Sequence, residues 1–251
     1  MRCGIDLGSR SVKLVILDDA KQLKSTNIYE TARFYRDYGH RTEAGLAVDF
    51  AALGYREVTR LTATGYGRNT IELVGATVIP ELKAHMLGAI AQTGLTDFTL
   101  LDLGGQDSKV IKVRKGRMAD FQTNDKCAAS TGRYLENMAA VLDISLEELA
   151  NYSVNPVELS ATCAIFGESE LIGRIVEGYS IAELAAGVNY TIYKRIKPML
   201  VAMRSDKLVF TGGVALGGAI KEFITREMDI EVIVPEYPQL NGAIGCAVYE
   251  S

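Results

Sequence analysis

The alternation of apolar and polar positions repeats between the two halves of the chain. One stretch runs from Asp6 to Lys13 and another from Asp102 to Lys109, and each begins Asp-Leu-Gly and ends in lysine. An apolar run precedes each stretch, and a second apolar run follows it. Such runs on both sides of a tight glycine-containing turn are typical of β-hairpins. The sequence therefore predicts one hairpin in each half.

Two more pairs of segments recur in the same order. A Thr-Gly pair follows strand-like runs at 60–63 and 207–210. A Pro-x-Leu segment precedes Gly-Ala-Ile within residues 80–90 and again within 238–244. The small residues of these last segments would let two helices pack closely. Three matched pairs in one order indicate a duplicated chain.

We place a first lobe at residues 1–92 and a second lobe at 93–251, which ends in a connecting helix. The second lobe carries an insertion at about 120–200, where apolar residues recur at helical spacing in three stretches, 135–142, 172–176 and 181–196. The last helix should end near Pro198, because proline lacks a backbone N–H. A short amphipathic helix is also predicted at 46–53, before a strand at 58–63.

Composition excludes several classes of partner. With 251 residues, 48% of them apolar, the chain can bury one large core or two modest ones. A net charge of −4 and the lack of a long basic run argue against nucleic acid. No stretch approaches the roughly 20 apolar residues of a membrane span, and no secretion signal opens the sequence. We therefore expect a soluble cytoplasmic protein with no membrane partner.

The hairpin turns are candidate phosphate-binding loops. Gly8 and Gly104 let backbone amides approach phosphate oxygens without an intervening Cβ. A single Asp-Leu-Gly turn can equally be a buried aspartate in an ordinary turn, but two in register favour nucleotide binding. The residues predicted to act in catalysis, through hydrated Mg²⁺ or by orienting an attacking water, are Asp6, Asp102, Gln106 and Asp107.

This arrangement resembles the actin, sugar kinase and heat-shock chaperone ATPase superfamily. The resemblance implies a duplicated ribonuclease H-like α/β fold whose two domains clamp ATP. It assigns residues 4–13 and 101–109 to two phosphate loops and 210–215 to an adenosine loop. Arg10 could contact a phosphate or face solvent. The nucleotide-binding residues implied are Gly8, Ser9, Arg10, Ser11, Lys13, Gly104, Gly105, Lys109, Gly132, Gly212, Gly213 and Gln239.

Two cysteines stand at predicted helix entries. Cys127 and Cys163 have 35 residues between them and no neighbouring cysteine. A tetrahedral zinc site or a cubane cluster needs about four ligands, so one chain cannot complete it with these two. A two-fold dimer could supply all of them, although both could equally be buried structural thiols. Cys3 and Cys246 are expected to be buried structural cysteines.

A closer resemblance gives this pair a role. Residues 124–136 (NDKCAASTGRYLE) and 160–170 (SATCAIFGESE) resemble the cluster-binding segments of the 2-hydroxyacyl-CoA dehydratase activator family. Matching segments also occur at 64–68, 101–109, 211–215 and 238–247. The resemblance implies a homodimer with an ATP site in each subunit and one [4Fe-4S] cluster held between helices at the dimer interface. Its ligands would be Cys127 and Cys163 of both subunits. Residues 29–49 match nothing in the family.

The family resemblance implies an ATP-dependent one-electron reductase. A ferredoxin or flavodoxin would reduce the cluster, and ATP hydrolysis would drive the electron to an iron–sulfur partner. The partner would be a 2-hydroxyacyl-CoA dehydratase, a benzoyl-CoA reductase-like enzyme or a double-cubane-cluster protein. One alternative is a small-molecule kinase similar to type III pantothenate kinases, with Asp102 as general base. Another is a nucleotide-switched scaffold comparable to actin. Neither alternative accounts for the two cysteines.

Overall fold

The computed structural model describes residues 1–43, 45–55, 58–65, 74–124, 131–160 and 164–250. The chain divides into two compact units, Met1–Leu95 with Leu240–Ser251, and Thr96–Gln239. In chain order the described strands are β1 (Arg2–Leu7), β2 (Ser11–Leu17), β3 (Leu23–Glu30), β4 (Gly39–Thr42), β5 (Gly45–Val48), β6 (Arg60–Thr64), β7 (Ala76–Val78), β8 (Phe98–Leu103), β9 (Ser108–Arg114), β10 (Arg117–Asn124), β11 (Lys207–Thr211) and β12 (Glu231–Ile233).

The described α-helices are α1 (Thr31–Tyr38), α2 (Glu81–Thr93), α3 (Gly132–Val141), α4 (Leu146–Leu149), α5 (Ala164–Val176), α6 (Ile181–Ala202), α7 (Ala219–Met228) and α8 (Asn241–Val248). Two 3₁₀ turns cover Gly213–Leu216 and Pro238–Leu240. Within the described residues, no helix is both long enough and apolar enough to cross a membrane.

The two units contain sheets of the same topology. The first sheet has the order β3-β2-β1-β6-β7 and the second has the order β10-β9-β8-β11-β12. In each sheet three strands form an antiparallel meander, and two later strands add in parallel. Asp6 pairs with Lys13 across the first hairpin, and Asp102 pairs with Lys109 across the second. Both predicted hairpins and the predicted α/β fold class are therefore confirmed.

Each sheet is covered by its own hydrophobic core. In the first unit, Ile5 and Leu14 of the sheet pack with Phe34 of α1. In the second unit, a larger core joins the sheet to α3, α6 and α7. The apolar positions predicted for the first helix of the insertion are all buried, namely Leu135, Met138, Ala139 and Leu142.

The C-terminal helix packs against α2, which corrects our assignment of residues 240–251 to the second lobe. A Cβ atom at Gly245 would overlap the carbonyl oxygen of Ala84, and one at Gly88 would overlap that of Asn241. The Asn241 amide also donates to the His85 carbonyl oxygen at 2.8 Å. The predicted close approach of the Gly-Ala-Ile segments therefore occurs, and it holds α8 in the first unit.

Substituting Gly245 by alanine should destabilise the first unit strongly. The new methyl group would push α8 away from a backbone carbonyl that cannot turn aside, at a cost of about 2–4 kcal/mol in the free energy of unfolding. Gly173→Ala is the matched control, because a Cβ there meets nothing within 4 Å. It should be neutral or stabilise α5 by about 0.5–1 kcal/mol. Urea unfolding of both variants measures the difference, and equal values would contradict the packing described.

Three local predictions are wrong. Residues 46–48 belong to β5 and residues 50–54 form turns, so the predicted helix at 46–53 is absent. Helix α6 continues past Pro198 to Ala202, since its buried face packs into the core along most of its length. On α5 the buried residue is Leu171, whereas Ile172 and Val176 are 49% and 83% exposed in the single chain.

Candidate functional site

The first predicted phosphate loop joins β1 to β2. Asp6, at the end of β1, is buried, and Lys13 lies opposite on β2 with its Nζ 3.2 Å from Oδ2 of Asp6. A Cβ at Gly8 would lie 2.7 Å from the Ser11 carbonyl oxygen and 3.0 Å from Nζ of Lys13, so only glycine fits the turn. The side chains of Ser9 and Arg10 are exposed. The loop therefore has a tight backbone beside a buried charge pair.

Helix α1 holds this loop from one side. The Thr31 hydroxyl donates to the Gly8 carbonyl oxygen at 2.7 Å, and the Thr31 amide donates to the Arg10 carbonyl oxygen at 3.3 Å. One helical turn further along, burial and the nearby Asp6 carboxylate raise the pKa of Tyr35. Residues 29–49, which the sequence left without a role, thus supply the support of the first loop.

Two glycines leave space around the Asp6 carboxylate. A Cβ at Gly65, whose φ is +105°, would lie 2.8 Å from Oδ1 of Asp6. A Cβ at Gly242 would lie 3.2 Å from Oδ2 of Asp6 and 3.2 Å from Nε2 of the buried His85. Neither glycine was among the predicted site residues. The space they leave suits a carboxylate that binds a hydrated cation.

The second predicted phosphate loop joins β8 to β9. Asp102 is buried and accepts a hydrogen bond from the Thr211 hydroxyl at 2.8 Å. Nζ of Lys109 lies 2.6 Å from Oδ2 of Asp107 and 3.9 Å from Oδ2 of Asp102. The Lys109 side chain is 6% exposed, so it neutralises this pair of carboxylates from within the fold. Gln106 is exposed at the tip of the loop.

The predicted adenosine loop follows β11 in the same unit. Gly212 has a φ of +91°, and a Cβ there would overlap the Leu103 carbonyl oxygen at the start of the second loop. The Gly212 amide donates to the Pro238 carbonyl oxygen at 2.9 Å. A Cβ at Gly213 would lie 3.7 Å from Nε2 of Gln239. The close backbone approach at Gly212 gives a cradle that only glycine permits.

Gly132, at the start of α3, completes the cluster in the second unit. A Cβ at Gly132 would lie 3.3 Å from the Gly104 carbonyl oxygen and 3.6 Å from Cγ2 of Val214. The second unit thus brings together the predicted residues Asp102, Gly104, Gly105, Asp107, Lys109, Gly132, Gly212, Gly213 and Gln239. The first unit brings together Asp6, Gly8, Ser9, Arg10, Ser11 and Lys13.

The two predicted metal ligands, Cys127 and Cys163, lie outside the described residues. Within the described part of the chain, no group of three or more His, Cys, Asp and Glu side chains could hold a metal ion. Cys3 and Cys246 are both buried. Burial raises the pKa of the Cys3 thiol to about 12 and that of Cys246 well above its usual value. Because the thiolate is the form that binds metal, these two cysteines are poor ligands.

Sequence reasoning missed the threonines that support the loops, Thr31, Thr131 and Thr211. Each donates its hydroxyl to an oxygen more than 20 residues away along the chain, such as Gly8 for Thr31 and Gly105 for Thr131. Thr211 could have been found, because it precedes the glycine pair in a position that matches Thr64 in the repeat. Nothing local singles out the other two.

A duplicated sheet with matched Asp–Lys hairpins and a third glycine turn defines an actin-like ATPase fold. Residues 3–249 match the model of the BadF/BadG/BcrA/BcrD ATPase family, and the chain belongs to that family. The resemblance inferred from the cysteine segments and the loops is thereby confirmed.

Three relatives are similar along almost the whole chain. The (R)-2-hydroxyglutaryl-CoA dehydratase activating ATPase of Acidaminococcus fermentans is 34% identical, over 98% of this chain and 95% of the relative. The structure of the activator of the 2-hydroxyisocaproyl-CoA dehydratase from Clostridium difficile with bound ADPNP is 32% identical. It covers 99% of this chain and 93% of that chain, with a TM-score of 0.84. A benzoyl-CoA reductase component of Thauera aromatica is 25% identical, over 98% of this chain and 91% of the relative.

Proposed function

We propose that this chain binds ATP with Mg²⁺ on the two Asp-Leu-Gly hairpins and the third glycine turn, and that it hydrolyses ATP. The observation that carries the proposal is the pair of buried aspartates, each opposite a lysine and beside a glycine turn. The ADPNP bound to the Clostridium difficile activator supports it, since that protein has the same fold.

The residues divide the work as follows. Asp6 and Asp102 hold the waters of Mg²⁺, and the glycine turns present backbone amides to the phosphates. Lys13 adds a positive charge beside the first loop, 3.2 Å from Asp6. Gln106 and Asp107, at the exposed tip of the second loop, orient the water that attacks the γ-phosphate.

We further propose that ATP hydrolysis activates a partner enzyme by driving single electrons to it. The named activities of the relatives support a partner of the 2-hydroxyacyl-CoA dehydratase or benzoyl-CoA reductase class. A [4Fe-4S] cluster, bound by Cys127 and Cys163 of two subunits, would supply a low-potential one-electron carrier that a ferredoxin or flavodoxin reduces. The partner is therefore itself expected to be an iron–sulfur enzyme.

The donor set and its place in the chain fit this cluster. Thiolates are the ligands that iron–sulfur clusters use. Helix α5 begins at the residue after Cys163, and α3 begins at Gly132, shortly after Cys127. A helix N-terminus carries a partial positive charge, which favours the thiolate form of a nearby cysteine. Two chains related by a two-fold axis supply the full set of thiolates.

Anaerobic purification tests the proposal. We expect a brown protein with about four irons per dimer, a visible spectrum that dithionite bleaches, and ATP hydrolysis in the same preparation. A colourless, iron-free protein that hydrolyses ATP would refute the electron-transfer role and leave the ATPase. Transfer of phosphate from ATP to pantothenate without bound iron would instead identify the kinase alternative.

A further inference from the structure

We propose that Thr131 and the first amides of α3 tie the second phosphate loop to α3, so that bound nucleotide sets the position of this helix. Thr131 is then a positioning residue, which acts on the chemistry only through the loop and the helix. The inference rests on the proposed function, because it takes ATP to be the ligand of the loop.

Three hydrogen bonds join the start of α3 to the loop. The Thr131 hydroxyl donates to the Gly105 carbonyl oxygen at 2.9 Å. The amides of Gly132 and Arg133 donate to the carbonyl oxygens of Gly104 and Gly105 at 2.9 Å and 3.0 Å. Thr131 is fully buried, so water does not compete for its hydrogen bond. The helix therefore uses its first free N–H groups on the loop.

The peptide geometry makes this connection sensitive to phosphate. In a trans peptide unit the C=O and the N–H point in opposite directions. The Gly104 and Gly105 carbonyls that accept from α3 belong to the same peptide units as the amides of Gly105 and Gln106. When those amides turn toward a phosphate, the two carbonyl oxygens turn with them. The hydrogen-bonded end of α3 must follow or lose its partners.

Tyr134 passes a shift of α3 to the neighbouring helices. Its ring is buried, and the Arg195 guanidinium of α6 lies 5.1 Å from the ring centroid. A Cβ at Gly167 of α5 would lie 3.4 Å from the Tyr134 hydroxyl oxygen, so α3 and α5 touch at this point. Because α5 directly follows Cys163 and α3 follows the segment of Cys127, both predicted ligand segments adjoin helices that the loop can move.

The first phosphate loop offers a matched control. Thr31 donates its hydroxyl to the Gly8 carbonyl oxygen at 2.7 Å, which is the same kind of contact. Helix α1, which Thr31 begins, neither follows nor precedes a cysteine segment in the sequence. Removing the Thr31 hydroxyl should therefore loosen a phosphate loop without altering the response of α3.

Hydrogen exchange of the full-length dimer with and without saturating ADPNP tests the proposal. In the wild type, ADPNP should slow amide exchange in the second loop and also in peptides of α3 and α5. In Thr131→Val, the change in the loop should persist, while the change in α3 and α5 should shrink by about two- to tenfold, the range of one hydrogen bond. Thr131→Ser, which keeps the hydroxyl, should restore it. Thr31→Val should weaken ADPNP binding in equilibrium dialysis but keep the wild-type response of α3 at saturation.

The outcomes separate this inference from the proposed function. If Thr131→Val responds like the wild type, the connection through Thr131 is refuted while ATP binding stands. If Thr31→Val and Thr131→Val lose the α3 response equally, the effect is general loosening and the specific role of Thr131 is refuted. Failure of the wild type to bind ADPNP overturns both proposals. Lack of iron overturns only the electron-transfer role, because the exchange measurement does not depend on the cluster.

Discussion

Replacing Asp102 by asparagine is expected to reduce the rate of ATP hydrolysis by about 100- to 1,000-fold. The amide keeps the shape of the side chain and can still accept the 2.8 Å hydrogen bond from Thr211. Lys109 keeps its closer partner, Asp107, so no buried charge is left without compensation. What the variant loses is the negative charge that we propose holds hydrated Mg²⁺. Steady-state release of phosphate at saturating ATP measures the effect.

Asp97→Asn is the matched control for this change. Asp97 precedes β8 in the same unit and is exposed, with its Oδ1 atom 3.9 Å from the Arg114 guanidinium, and its replacement removes the same charge. This variant should hydrolyse ATP at nearly the wild-type rate, because an exposed ion pair contributes little to stability. Wild-type hydrolysis in Asp102→Asn, with an unchanged unfolding transition, would rule out Asp102 as the Mg²⁺ residue.

The two hairpins are similar in fold but different in their chemistry, and the difference bears on where hydrolysis occurs. Lys13 contacts the carboxylate of Asp6. Lys109 lies between Asp102 and Asp107, and the loop also carries Gln106. The second unit therefore holds the extra carboxylate and the amide that can orient a water. We accordingly assign binding to both loops and the attacking water to the second.

The hairpins could be predicted because their signals are local. An aspartate, a glycine turn and a lysine at fixed spacing determine the cross-strand partners, and the same pairs, Asp6 with Lys13 and Asp102 with Lys109, occur in the structure. The repeat also predicted the close packing of the Gly-Ala-Ile segments around Gly245. Patterns that act within about ten residues, or that repeat, were therefore sufficient for most of the fold.

The sequence could not predict contacts that join distant residues. The apolar spacing of Leu46, Phe50 and Leu53 fits a helix, but pairing with β4 places Leu46 in a strand. Tertiary packing likewise carries α6 through Pro198, against its local preference. The hydroxyl of Thr131 meets its acceptor 26 residues away, and only the folded chain brings the two together.

Replacing Cys127 by serine should abolish iron binding by the dimer. The variant removes two of the four thiolates that two chains can offer, and a serine hydroxyl does not replace a thiolate as a ligand of an iron–sulfur cluster. We expect anaerobically purified Cys127→Ser to be colourless, with less than about a tenth of the wild-type iron. Cys163→Ser should behave in the same way, since each residue supplies half of the set. Iron analysis and the visible spectrum measure both effects.

Cys246→Ala provides the control for this loss. Cys246 is buried in α8, and burial raises the pKa of its thiol well above the usual value, so it is not a thiolate available to iron. This variant should keep the wild-type iron content, and its ATP hydrolysis should be unchanged. Full iron content in Cys127→Ser would show that the iron is bound elsewhere. Loss of iron in the Cys246 variant alone would reassign the ligand to the helix that packs against α2.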